Sequence, residues 1–224
     1  MDSDIYEKVT NFYSLLFADE NHRYKSWEHC YSYFTGGRAT KDIDTACLHL
    51  SFYLASWGMY RGSSFLLWKD YRIHKDVVET LLENSELQQL EFSTINDADI
   101  DKIIGLTVWI KNWYRENVNT VNGEEKLVNA TDTLVTKIML GALGCIPAYD
   151  RYFIDGMRKS GISYSNLSKK NLKAVTTYYK YNEAEFLKAK KSIHEKSGIC
   201  YPPMKLVDMY FWEIGFQADN ARII

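Results

Sequence analysis

An all-α fold is what this 224-residue sequence predicts, and three observations predict it. Apolar residues recur at three- and four-residue spacing in one segment after another, and Ser, Thr, Asp or Asn stands in front of most of these segments. The three prolines fall between the segments, and no strand-turn-strand signal interrupts them. The expectation is a single orthogonal bundle of about nine to eleven helices, arranged either as one mass or as two lobes, 1–125 and 126–224, about a cleft.

The first helix is expected over 4–17, where Ile5, Val9, Phe12, Leu15 and Leu16 share a face and Ser3 or Asp4 followed by Glu7 has capping-box spacing. A second segment carries Trp27, Tyr31 and Phe34 and stops at Gly36-Gly37. Asp42 to Trp57 is apolar nearly all round, which predicts a helix in the middle of the core, with His49 as a hydrogen-bonded core histidine. Gly58 and Gly62 bracket a tight connection into a short helix holding Phe65 to Trp68, and Ile73, Val77, Val78, Leu81 and Leu82 mark the next.

Asn96-Asp97 caps a long helix with Ile100, Ile103, Ile110 and Tyr114 on its stripe, which runs out into a polar loop at 117–123. Thr131 or Asp132 starts a very apolar helix that ends at Gly144. Pro147 is placed to open the following one, with Asp150 in its first turn. One or two helices follow Ser168, including the strand-like run Thr176 to Tyr181, and a last one follows Pro202-Pro203.

A chain of 26.1 kDa hides roughly 70% of its extended surface on folding, enough for one core without staples. With 46% hydrophobic residues this excludes a disordered, collagen-like or disulfide-stapled chain. Cys30, Cys47, Cys145 and Cys200 are spaced too widely for a zinc site and read as buried free thiols. No charged leader with an apolar stretch and no bilayer-length segment is present, so a cytoplasmic protein without membrane contact is expected. Phosphate-loop, dinucleotide, serine-hydrolase, zincin and EF-hand motifs are all missing, and neither a cofactor nor a metal is expected.

The net charge of -2 conceals a division. Arg158 to Lys196 holds ten basic residues against three acidic ones, a net +7, while the remainder has 17 against 26, a net -9. Lys169, Lys173 and Lys180 fall on one helical face with Lys170 beside them and Tyr178, Tyr179 and Tyr181 close by, a pattern that suits DNA or RNA, an acidic partner protein, or simply water. A second stretch, Trp57 to Ser64, sets Trp57, Tyr60 and Arg61 between two glycines as a ligand-stacking wall or an aromatic-lined helix junction.

Thr136-Lys137-Ile138-Met139-Leu140-Gly141-Ala142-Leu143-Gly144-Cys145-Ile146-Pro147-Ala148-Tyr149-Asp150-Arg151-Tyr152-Phe153 resembles the core of the helix-hairpin-helix DNA glycosylase superfamily. There an apolar small-residue helix leads through a Gly/Pro connection to an aspartate opening the next helix, and a basic residue follows two turns on, as Arg158 does here. The resemblance implies that Asp150 takes the place of the catalytic carboxylate; Tyr149 beside it is a ligand-stacking candidate with Trp57 and Tyr60, and Arg151 a binding one. The glycine-rich hairpin is absent from 128–132, Thr131 and Asp132 stand near the lysine nucleophile's position, and Lys126 and Lys137 are out of its register. Apart from the resemblance, Asp150 suits an N-terminal turn, capping amides and pairing with Arg151 or Arg158. The expected function is nucleic-acid or nucleotide binding by a glycosylase-like fold through Arg61, Arg151, Arg158 and the lysine face. The alternatives are an interaction module without catalysis and an N-glycosidic bond hydrolase using Asp150.

Overall fold

The computed structural model describes residues 4–162 and 166–220 and contains ten α-helices among them. In chain order they are α1 (Ile5–Ala18), α2 (Ser26–Thr35), α3 (Ile43–Ser56), α4 (Lys75–Glu83) and α5 (Asp97–Asn117), then α6 (Asp132–Ala142), α7 (Arg151–Lys159), α8 (Lys169–Tyr181), α9 (Glu183–Ser197) and α10 (Pro203–Asn220). Short 3-10 turns at Arg23–Lys25, Phe65–Trp68, Tyr71–His74 and Ser85–Gln89 join some of them.

Local chemistry accounts for most helix starts. The side chains of Asp42, Thr131, Asp150 and Ser168 each accept an N–H from the first turn of the helix that follows, and Asn96 with Asp99 forms a full capping box on α5. Pro203 opens α10, where its missing N–H leaves no intrahelical bond unmade. Gly198 closes α9 in the left-handed region, φ 71°.

One continuous core runs from Ile5 to Trp212. Helix α10 passes through its middle, buried without a break from Met204 to Glu213, while α1 lies against both α9 and α10. Helix α6 packs against α2, α3 and α5. The closest approach is between α7 and α10: a Cβ at Gly156 would sit 1.8 Å from the Phe211 carbonyl oxygen, and one at Gly215 would sit 2.0 Å from that of Tyr152. The two backbones touch there with nothing between them.

Several expectations change. The loop after α5 closes as a small hairpin, β1 (Thr120–Val121) pairing antiparallel with β2 (Glu124–Glu125). Asn122 and Gly123, at φ 55° and 79°, supply the two left-handed residues that a tight hairpin turn requires. Pro147 does not open α7; it lies in a buried connection, and the helix starts at Arg151 behind Asp150. Ser3 lies outside the described residues, and the Asp4 side chain makes no cap, accepting instead from the Tyr210 hydroxyl. Helix α3 is not central: Leu48 and Phe52 are 45% and 62% exposed. His49 is half-buried against the Tyr33 ring, and the buried histidine is His74. Cys200 is exposed, unlike the other three cysteines. No helix of the described residues is long and apolar enough to cross a membrane.

The α7–α10 contact gives a direct test. Gly156→Ala should lower unfolding stability by about 3 kcal/mol, because the methyl group must drive two backbones apart. Gly105→Ala, where a Cβ meets nothing within 4 Å, should raise it by about 0.5–1 kcal/mol through helix propensity. Urea denaturation of the two variants measures both signs.

Candidate active site in an aromatic cleft

The connection from α6 to α7 is buried from Leu143 to Tyr149, so its backbone polar groups need partners inside the protein. Helix α6 and helix α10 provide them. The Ala148 N–H donates to Asp208 (3.0 Å), the Tyr149 N–H donates to the Thr136 hydroxyl (2.9 Å), and the Tyr149 carbonyl accepts from the Thr133 hydroxyl (2.8 Å). Pro147 has no N–H to satisfy. The chain therefore arrives at Asp150 along a pinned path.

At Asp150 one carboxylate oxygen accepts the Phe153 N–H (3.1 Å) and caps α7, while the other accepts from Lys137 Nζ at 2.9 Å. The partner is thus Lys137 and neither Arg151 nor Arg158: Arg151 pairs with Asp219 (2.7 Å), and Arg158 pairs with Asp155 (3.5 Å). Lys137 is 3% exposed in the buried part of α6, whereas Asp150 is 16% exposed and opens onto solvent. The ammonium also lies 4.7 Å from the centroid of the Trp57 ring, a cation–π contact. A second pair, Lys205–Asp208 at 2.9 Å, lies beneath, with Lys205 Nζ 5.1 Å from the centroids of both Trp27 and Trp57.

Above these groups is a cleft of about 760 Å³ whose floor includes Thr133, Lys137 and Asp150. Aromatic rings form its walls. Trp57 ends α3 and stacks on Tyr24 at 4.1 Å, while Tyr152 and Phe216 pack edge-on and face-on against Trp212. Arg23, Arg61 and Arg151 also line it with Lys137; of these four cations Lys137 pairs with Asp150 and Arg151 with Asp219. Arg61 folds across Gly58, whose φ of 77° and missing Cβ allow the guanidinium to come within 3 Å of where that Cβ would be. Past Arg61 the surface continues into a second hollow of about 630 Å³ bounded by Ser63, Lys126 and Asn129.

Tyr60 presents its ring to the cleft and its hydroxyl to the core. That hydroxyl donates to Ser51 (3.1 Å) and meets His74 Nε2 at 2.9 Å, while Nδ1 of His74 meets the Tyr114 hydroxyl at 2.5 Å. Since Tyr60 donates onward to Ser51, the neutral tautomer that completes the relay carries its proton on Nε2 and accepts from Tyr114 at Nδ1. Burial among these groups pushes His74 down to about 3.

The structure brings Trp57, Tyr60, Arg61, Asp150 and Arg151 into one cleft and leaves the remaining predicted residues elsewhere. Tyr149 is 1% exposed, with its hydroxyl bonded to Asn171, so it offers no stacking surface. Lys169 and Lys173 form ion pairs with Asp101 and Asp97 at the start of α5, both at 2.6 Å, and Lys180 reaches the Ile95 carbonyl. The hydrogen bond from Lys173 holds the Asp97 carboxyl below the usual range. Lys170 is exposed on α8, and Arg158 sits in the last turn of α7; neither lines the cleft. Tyr179 is buried and Tyr178 packs on Tyr210 and Phe211, so of the three nearby tyrosines only Tyr181 is exposed.

Lys137, Lys205 and Tyr24 were not anticipated as site residues. The available signal was a lysine inside an apolar helical stretch, since an ammonium is almost never fully buried without a partner. Among the described residues no group of three or more His, Cys, Asp or Glu could hold a metal ion.

The His74 relay makes stability depend on pH. Because the fold refuses a proton that the unfolded chain accepts below about 6.5, stability is lost as pH falls from there toward 3, by about 2 kcal/mol between pH 7 and pH 5. Urea unfolding at the two pH values should show that loss in the native sequence and a flatter response in His74→Asn. Compared with models of protein families, with curated proteins and with solved structures, the chain matches none.

Proposed function

We propose that the cleft binds a nucleobase attached to its sugar and cleaves the N-glycosidic bond, with Asp150 as the working carboxylate. One observation carries this reading: a carboxylate hydrogen-bonded to an ammonium at the floor of an aromatic, cation-rimmed cleft. The aromatic walls suit the flat, apolar body of a base, and guanidinium groups suit the phosphates that accompany it. The resemblance of 136–153 to the helix-hairpin-helix glycosylases points to the same carboxylate.

The chemistry follows from charge. As the base departs with the bonding electron pair, positive charge develops on the sugar, and the nearby carboxylate stabilises it. Each Asp150 oxygen has one protein partner and therefore keeps acceptor capacity for a water. That water adds to the sugar carbon and gives its proton to Asp150. Lys137, with two N–H groups left after its bond to Asp150, protonates the leaving base and recovers the proton from the carboxylate. Asp150 caps the N-terminus of α7, so the first turn of that helix fixes where its carboxylate stands.

The test is release of free base from nucleosides, nucleotides and oligonucleotides bearing natural and damaged bases, followed by chromatography. Asp150→Asn should reduce kcat by about a hundredfold or more, and Lys137→Gln by a comparable factor. Arg61→Ala should raise KM by about tenfold with little change in kcat, the signature of lost uniform binding. Reversal of Lys169, Lys170 and Lys173 to Glu should leave the rate nearly unchanged, because the lysine face lies outside the cleft. Full activity in Asp150→Asn, or no base released from any substrate class, overturns the reading.

A further inference from the structure

The Lys205–Asp208 pair is buried more deeply than the pair above it, with side chains 4% and 5% exposed. Replacing such a pair by apolar residues of similar volume is often neutral or stabilising, so stability does not explain it. Its contacts do. One Asp208 oxygen takes the Lys205 ammonium, and the other takes the Ala148 N–H, whose carbonyl in turn accepts the Asp150 N–H at 2.8 Å. Lys205 lies beneath Trp57, the same ring that Lys137 contacts.

We propose that Asp208 is a positioning residue of the cleft: it sets, through Ala148, the turn that aims the Asp150 carboxylate, while Lys205 balances the buried charge of Asp208. Neither lines the cleft, so neither touches the substrate. The kinetic part of this assignment rests on the reading of Asp150 as the working carboxylate; the geometric part does not.

Two double variants separate positioning from packing. K205M/D208N removes both charges but keeps an oxygen for the Ala148 N–H, whereas K205M/D208L keeps volume and removes the acceptor. The readouts are melting temperature, amide hydrogen exchange at Ala148 and Phe153 by NMR, and kcat and KM for base release. The Phe153 amide reports Asp150 directly, because Asp150 caps it. In folded K205M/D208L both amides should exchange at least about tenfold faster, and kcat should fall about a hundredfold with KM nearly constant, the effect of a misplaced reacting group. K205M/D208N should restore exchange and kcat to within about threefold of the native protein.

Exchange at Phe153 or kcat in K205M/D208L remaining within about threefold of the native values overturns the assignment. So does failure of K205M/D208N to restore them. If the native protein releases no base, the glycosidase reading falls and amide exchange alone decides the positioning claim. If the leucine variant does not fold, K205M/D208A carries the same comparison.

Discussion

At the crossing of α7 and α10 the main chain of one helix rests on the main chain of the other, because Gly156 and Gly215 put no side chain between them. One whole side of the cleft depends on that contact. The first turn of α7 and its cap supply Asp150, Arg151 and Tyr152, and α10 supplies Lys205, Asp208, Trp212 and Phe216. Any side chain at the crossing would separate the carboxylate at the head of one helix from the ion pair embedded in the other. Close packing of this kind transmits displacement instead of absorbing it.

The floor of the cleft is ionic where a core is ordinarily apolar. Two ammonium groups and two carboxylates lie in or beside the hydrophobic centre, both ammonium groups against the Trp57 ring, and each pair is made by a direct hydrogen bond. Burying charges is costly even when they are paired. The protein offsets that cost with continuous packing from α1 to α10 and with side-chain caps on α3, α5, α6, α7 and α8. The His74 relay behind Tyr60 follows the same pattern, since a polar chain deep in the core ends on a wall of the cleft. These interior polar groups meet the surface at the cleft.

Much of the architecture was legible because caps and breakers are local. Asn96, Thr131, Ser168 and Pro203 announce helix starts through bonds made within three residues of themselves, and the positions of α5, α6, α8 and α10 follow from them. The Asn122-Gly123 turn is equally local, but the hairpin it closes reads in the sequence as a polar loop, because its strands are two residues long and carry no alternation. The start of α7 was misjudged at Pro147, because a proline before a helix looks the same whether it opens the helix or serves a buried connection. Asp150 could be singled out as a helix-opening carboxylate, yet its partner could not. Lys137 lies one helix away, and which face of α6 meets the head of α7 is decided by long-range packing. The lysine face of α8 shows the converse: its periodicity was visible, but the acidic start of α5 that neutralises Lys169 and Lys173 is brought there only by the fold.

The four cysteines divide three to one, with Cys30, Cys47 and Cys145 enclosed and Cys200 on the surface beside Tyr201 and Pro202. Burial pushes the Cys30 thiol upward and out of the thiolate form that reacts with alkylating reagents. The folded molecule therefore presents one chemically addressable thiol and the unfolded molecule four. A fluorophore or spin label added under native conditions reports from a single defined point, and the ratio of thiols modified counts the unfolded fraction without any optical probe of structure.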